Sequence, residues 1–225
     1  KLGGRFAAGT RFIVSEPTTQ HKAPARQLFS ERYRLGTLAL WLTYFMGLLV
    51  IYLTMGWLPT LLRDGGLSIE RAATITGLFQ IGGAVGAIVV GWIMDRRNPN
   101  RVIAIAYALG GLCIVSLGAL SLESSLLVVG VAAAGFCMSG AQTGLNAFAP
   151  GYYPTEFRAT GVSWMLGIGR FGAIFGSLIG GAVLSLGLGL PLLFTLLGLP
   201  AFAAALAILA NGHARLRATP AVTAP

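Results

Sequence analysis

The sequence predicts an all-α membrane protein built around six spanning helices. Composition, segment length and the placement of positive charge each lead there. Of 225 residues, 55% are hydrophobic and only 10% are charged, whereas soluble domains carry about 25% charged residues. The mean hydropathy is +0.76. One globular core of this size cannot hide that much apolar surface, so the bilayer is the natural solvent.

Residues 1–34 are polar and irregular, with Pro17 and Pro24, and read as a linker carrying a short amphipathic helix near 25–33. Six apolar segments follow, at 35–62, 70–94, 101–122, 124–149, 160–186 and 190–211. Each reaches the roughly 20 residues that a span requires. Lipid offers the backbone no hydrogen-bond partner, so each must be a helix. Arg63-Asp64-Gly65-Gly66 ends the first, and Ser68 can cap the second. Asn98 followed by Pro99 opens the third, and Pro150-Gly151 closes the fourth. Gly187, Gly189 and Pro191 break the fifth from the sixth. The expected organisation is a linker at 1–34, a bundle at 35–211 and a tail at 212–225. The first 30 residues hold no apolar signal segment and the chain opens at Lys1, so it reads as a piece of something longer.

The formal net charge of +9 could suggest nucleic acid, but its placement argues against that partner. Lys1, Arg5, Arg11, Lys22, Arg26, Arg32, Arg34, Arg96, Arg97, Arg101, Arg158, Arg215 and Arg217 all fall on one side of the six spans. Arg63 and Arg71 fall on the other. The richer side is expected to be cytoplasmic, with both ends of the chain inside. Cys113 and Cys137 each lie in an apolar run with no Cys or His at ligand spacing, and read as inert buried thiols. No metal or cofactor is expected. His21 and His213 lie in polar terminal segments. The spans lack paired acids or an activated nucleophile, which excludes a membrane-embedded enzyme.

The remaining cation, Arg170, lies deep inside the fifth span. A central arginine costs roughly 2.5–3.5 kcal/mol on insertion scales. It is tolerated where it faces a wet cavity, and its planar fork suits a carboxylate. A partner acid elsewhere would also explain it. Ser163, Arg170 and Ser177 share a face, and Gly169, Gly172, Gly176 and Gly180 form a small-residue face about 100° away. Ser139, Gln142 and Asn146 align on the fourth span, Thr76 and Gln80 on the second, and Trp41, Tyr44, Tyr52 and Met55 on the first. Tyr44, Gln80, Gln142, Asn146 and Arg170 are the candidate binding residues. The alternative is that the amides bond between helices and the aromatics sit at headgroup level. Trp57 and Trp92 fit that interfacial role.

Two loops at the basic side carry mixed charge. The first holds Gly91, Asp95, Arg96, Arg97 and Arg101, and the second runs Tyr153-Pro154-Thr155-Glu156-Phe157-Arg158-Ala159-Thr160-Gly161. Acids beside arginines at helix ends can form networks made in one conformation and broken in another.

These loops resemble the major facilitator superfamily. Gly91, Asp95, Arg96 and Arg101 match its G-x-x-x-D-R-plus-basic signature, although Arg97-Asn98-Pro99-Asn100 replaces the usual G-R-R continuation. Pro154 to Gly161 is similar to its P-T-E-x-R-x-x-G loop. Over 28–185 the chain also resembles the aromatic acid:proton symporter family, through Leu40-Trp41-Leu42-Thr43-Tyr44-Phe45, Trp57-Leu58-Pro59-Thr60-Leu61-Leu62 and the run from Arg158 to Arg170. The resemblance implies the carboxyl-terminal six-helix half of a twelve-helix fold in a bacterial inner membrane. It further implies proton-coupled import of benzoate-type acids, with Arg170 in transport and an amino-terminal half still to be added. Gly91, Asp95, Arg96, Arg101, Glu156 and Arg158 become the candidate gating residues. That family's acidic first-helix motif is absent here, which leaves proton coupling unassigned. A transporter of a sugar, dicarboxylate or drug, and a six-helix channel, stay open as alternatives.

Overall fold

A computed structural model describes residues 24–121, 124–185 and 190–218, with side chains over 25–121, 124–181 and 191–212. A short helix α1 (Pro24–Leu28) precedes six long ones: α2 (Arg34–Asp64), α3 (Ile69–Met94), α4 (Pro99–Leu117), α5 (Ser125–Phe148), α6 (Arg158–Ser185) and α7 (Leu190–Ala218). All six are long and apolar enough to cross a membrane. Linker residues 1–23, the break at 186–189 and residues 219–225 lie outside the described residues.

Local chemistry sets the boundaries. Ser68 accepts the Arg71 N–H at 3.3 Å, Asn98 accepts the Arg101 N–H at 3.4 Å beside Pro99, and Ser124 accepts the Leu126 N–H at 3.1 Å. Gly66 turns the chain after α2 at φ 106°, a conformation that favours glycine. Helix α4 stops at Leu117, before the 122 expected. Gly118, Ala119 and Leu120 bond to carbonyls three residues back and wind into turns. Hydropathy could not mark this stop, because Ala119 and Leu120 are as apolar as the helix before them. Helix α1 covers only part of the expected 25–33, and α7 runs past 211.

The helices pack as pairs: α2 with α6, α3 with α5, and α4 with α7. Helix α2 also packs on α7, and α4 on α5. Between helices in lipid there is no hydrophobic driving force, so cohesion depends on close van der Waals approach. Glycine provides it at several seams, among them Gly111 of α4 against Gly198 of α7. A Cβ on Gly172 or Gly176 would overlap the carbonyl of Phe45 or Leu49, so the expected glycine face of α6 lies directly on the α2 backbone. Another seam, not read from the sequence, joins α3 to α5. There Gly82, Gly86 and Gly135 meet the carbonyls of Ala132, Phe136 and Phe79.

The end carrying Asn98 and Arg158 is tied by polar and aromatic contacts. Asn100 donates to the Ile208 carbonyl and to Asn211 Oδ1, each at 3.0 Å, and Asn211 donates to the Gly36 carbonyl at 2.9 Å. All are buried, so α2, α4 and α7 meet in one bonded chain. Tyr152 donates to the Tyr33 carbonyl at 3.3 Å, and Tyr33, Tyr152, Tyr153 and Phe157 meet edge to face.

The bundle has two kinds of outer surface. Gln80 on α3, Thr143 and Asn146 on α5, and Ser163 and Arg170 on α6 are exposed. Helix α4 exposes Ile105, Leu109 and Leu112 between Arg101 and Ser116, and the exposed side chains of α7 among the described residues are all apolar.

Gly176→Ala places a carbon against the Leu49 carbonyl, and Gly176→Leu adds three more. Overpacking of this kind costs about 1–3 kcal/mol. The melting temperature of the full-length protein in detergent is expected to fall for the alanine variant and further for leucine. Equal melting of both variants and wild type would disprove the seam.

Candidate functional site

Arg170 lies twelve residues into α6 and fifteen from its end, about 18 and 22 Å at 1.5 Å per residue. Its side chain is exposed, and no hydrogen bond or ion pair holds it among the described residues. The preceding residue fixes its direction. Gly169 backs onto the ring of Tyr44, which turns Arg170 about 100° away from the α2 seam. Ser163 is exposed on the same face. Ser177 is committed to structure: its hydroxyl donates to the Ala173 carbonyl at 3.0 Å, and its carbonyl accepts the Trp57 N–H at 3.1 Å.

Below Arg170 on that face lies a shallow pocket of ≈ 240 Å³ lined by Ser163, Trp164, Gly167, Ile168 and Phe171. The Trp164 ring, 51% exposed, stacks on Trp41 with centroids 6.0 Å apart and planes at 26°. This aromatic pair was only half legible, because Trp41 stood out in α2 while its partner on α6 depends on how the two helices register. A second depression, between α2, α6 and α7, of ≈ 170 Å³ and lined by Leu53, Trp57, Ile179 and Leu193 among others, holds no charged group.

The amide candidates divide. Gln142 is buried, and its Oε1 accepts the Tyr107 hydroxyl at 2.6 Å. Its Nε2 is buried without a partner. A Cβ on Gly47 would collide with both groups, so α2, α4 and α5 converge here. Tyr107 was not singled out by the sequence, where it is one tyrosine in an apolar run. Its burial and that of Gln142 make sense only as a pair. Tyr44 is itself buried, its ring against Gly169. Asn146 and Gln80 are exposed on α5 and α3. No hydrogen bond among the described residues links Arg170 to Gln80, Gln142 or Asn146.

The charged loops differ from the expected acid–base networks. Arg96 donates to the Trp92 carbonyl at 3.0 Å and lies 4.0 Å over the Trp92 ring. Arg158 donates to the Tyr153 carbonyl at 3.3 Å and Thr155 Oγ1 at 3.5 Å. Neither Asp95 nor Glu156 forms an ion pair among the described residues, where the pair present is Arg63–Asp64, at 3.7 Å and largely exposed. Their arginine neighbours are instead taken up by carbonyl, hydroxyl and ring partners. Gly91 has nothing within 4 Å of where a Cβ would stand. In the loop, burial pushes the Tyr153 phenol above its ordinary pKa, opposed by Thr37 and Trp41 beside it.

Cys113, half-buried, and Cys137, buried, are free thiols. Among the described residues no group of three His, Cys, Asp or Glu side chains could hold a metal.

Tyr107→Phe leaves the whole Gln142 amide buried and unpaired, at a cost of about 1–3 kcal/mol. Tyr107→Phe combined with Gln142→Leu removes both partners and is expected to recover most of the lost thermal stability in detergent. A double variant no more stable than the single one would show that the bond is not the reason for the pairing.

The sequence matches the Major Facilitator Superfamily profile over residues 14–223. It is 99% identical over 225 residues to a gallate transporter of Pseudomonas putida, covering all of this chain and 50% of that protein. It is 48% identical over 200 residues to the 4-hydroxybenzoate transporter PcaK of Pseudomonas aeruginosa, covering 89% of this chain and 45% of that protein. Against the PcaK of Acinetobacter baylyi the identity is 49% over 202 residues, covering 88% and 44%. The chain spans about half the length of these relatives, which are named as transporters and not as enzymes.

Proposed function

Because this chain belongs to the Major Facilitator Superfamily, we propose that it forms one six-helix half of a secondary transporter that imports aromatic carboxylates together with protons. It is a multi-pass membrane protein. The companion bundle covers the face that exposes Gln80, Asn146, Ser163 and Arg170.

The observation that carries the proposal is Arg170: a guanidinium at mid-span, exposed, unpaired within the described residues, and turned outward by the glycine seam. Its fork receives the carboxylate in a bidentate contact. The Trp41–Trp164 stack beside it offers an aromatic surface to the ring. Tyr44, Gln142 with its unused amide N–H groups, Gln80 and Asn146 supply contacts for ring hydroxyls. Gallate and 4-hydroxybenzoate, the solutes in the relatives' names, each join one carboxylate to a hydroxylated ring. A neutral sugar has no carboxylate to pair with the guanidinium fork.

The acids of the described spans lie at helix ends, as Asp64, Glu70 and Asp95 do, so the proton-coupling group belongs to the companion bundle. The basic end faces the cytoplasm of the inner membrane, with the 1–34 linker and the 212–225 tail on that side. Asp95, Arg96, Glu156 and Arg158 meet the companion bundle there and rearrange during alternating access. The open space over Gly91 accommodates that close approach.

In cells expressing the full-length protein, Arg170→Ala is expected to lower 4-hydroxybenzoate uptake about 10- to 100-fold at equal membrane abundance, the range of a lost charge-assisted hydrogen bond of about 1.5–3 kcal/mol. Arg170→Lys keeps the charge without the fork and falls between. Benzoates are expected to compete for uptake, and sugars are not. Uptake unchanged in Arg170→Ala would overturn the assignment.

A further inference from the structure

We propose that the outer groove between α4 and α7 binds a glycerophospholipid, with one acyl chain between the helices and the phosphodiester on Arg101. The groove has a volume of ≈ 550 Å³. Ala104, Ala108 and Ala205 form its floor, Ile105, Phe202 and Leu206 its walls, and Arg101 its mouth. Arg101 to Ala108 is seven residues, about 10 Å along the helix, which matches the upper part of an acyl chain.

Three observations select this occupant. First, the groove lies on the surface that is apolar throughout between Arg101 and Ser116, away from the face that carries Gln80, Asn146 and Arg170. That surface meets lipid. Small side chains facing hydrocarbon leave a recess that only an apolar chain can fill, since water finds no polar partner in it. Second, Arg101 stands at the helix start, at headgroup depth, where a phosphate anion lies. Third, Arg101 is uncommitted. Arg96 is held by Trp92 and Arg158 by Tyr153 and Thr155. The Arg101 side chain is exposed and has no acid partner among the described residues. A guanidinium offers a phosphodiester two parallel N–H donors. Arg101 therefore separates from the other residues of its loop and turns toward lipid. The leaflet, though not the binding itself, rests on the orientation proposed above.

The test is native mass spectrometry of the full-length protein, delipidated in mild detergent and titrated with phosphatidylglycerol or with a diacylglycerol bearing the same chains. Wild type is expected to bind phosphatidylglycerol at least fivefold better than diacylglycerol. Arg101→Gln should abolish that preference while retaining diacylglycerol binding. Ala108→Phe, which fills the groove, should weaken both. The proposal is overturned if wild type binds the two lipids equally, or if Arg101→Gln binds phosphatidylglycerol as wild type does. Binding is measured without uptake, so a failure at Arg170 leaves this result unaffected.

Discussion

Backbone-to-backbone contact through glycine is the constraint on which the rest of the bundle depends. In water, burying apolar side chains would hold six helices together. In a bilayer the surrounding chains are as apolar as the helix faces, so closeness has to be built into the surfaces. Gly172 and Gly176 bring α6 onto α2, and Gly82, Gly86 and Gly135 bring α3 onto α5. The positions of the polar groups follow. Gly169 against Tyr44 determines where Arg170 points, and Gly47 leaves the room that Tyr107 and Gln142 share. Bulk added at a seam therefore disturbs the site as well as the packing.

Spans, caps and the two faces of α6 were legible in the sequence because each depends on one helix alone. Ser68, Asn98 and Ser124 cap their helices through neighbours two or three residues away. The glycine and serine–arginine faces of α6 follow from periodicity. Features that need a second helix were not legible. The seam between α3 and α5, the partner of Gln142, the stacking of Trp164 on Trp41 and the Asn100–Asn211 contact all depend on register between elements far apart in sequence. Where α4 stops escaped for another reason, since no polar residue marks the unwinding after Leu117.

The arginines illustrate how one residue type divides among roles that composition cannot separate. Arg96 and Arg158 close their own helix ends through backbone carbonyls. Arg101 lines the groove between α4 and α7. Arg170, at mid-span, has no ion-pair partner among the described residues. The first three share a topological signal in the sequence, an excess of positive charge on one side, and only the geometry around each shows what its guanidinium touches.

The buried chain from Asn100 through Asn211 to the Gly36 carbonyl has a mechanical consequence. Directional bonds stake α2, α4 and α7 at the basic end, while towards the opposite end α2 and α7 line an apolar depression with α6. Deformation concentrates where restraint is weakest. A foot tied in this way is expected to act as a tripod, passing a tilt imposed at the far end on as rotation of one piece rather than letting the helices slide past one another.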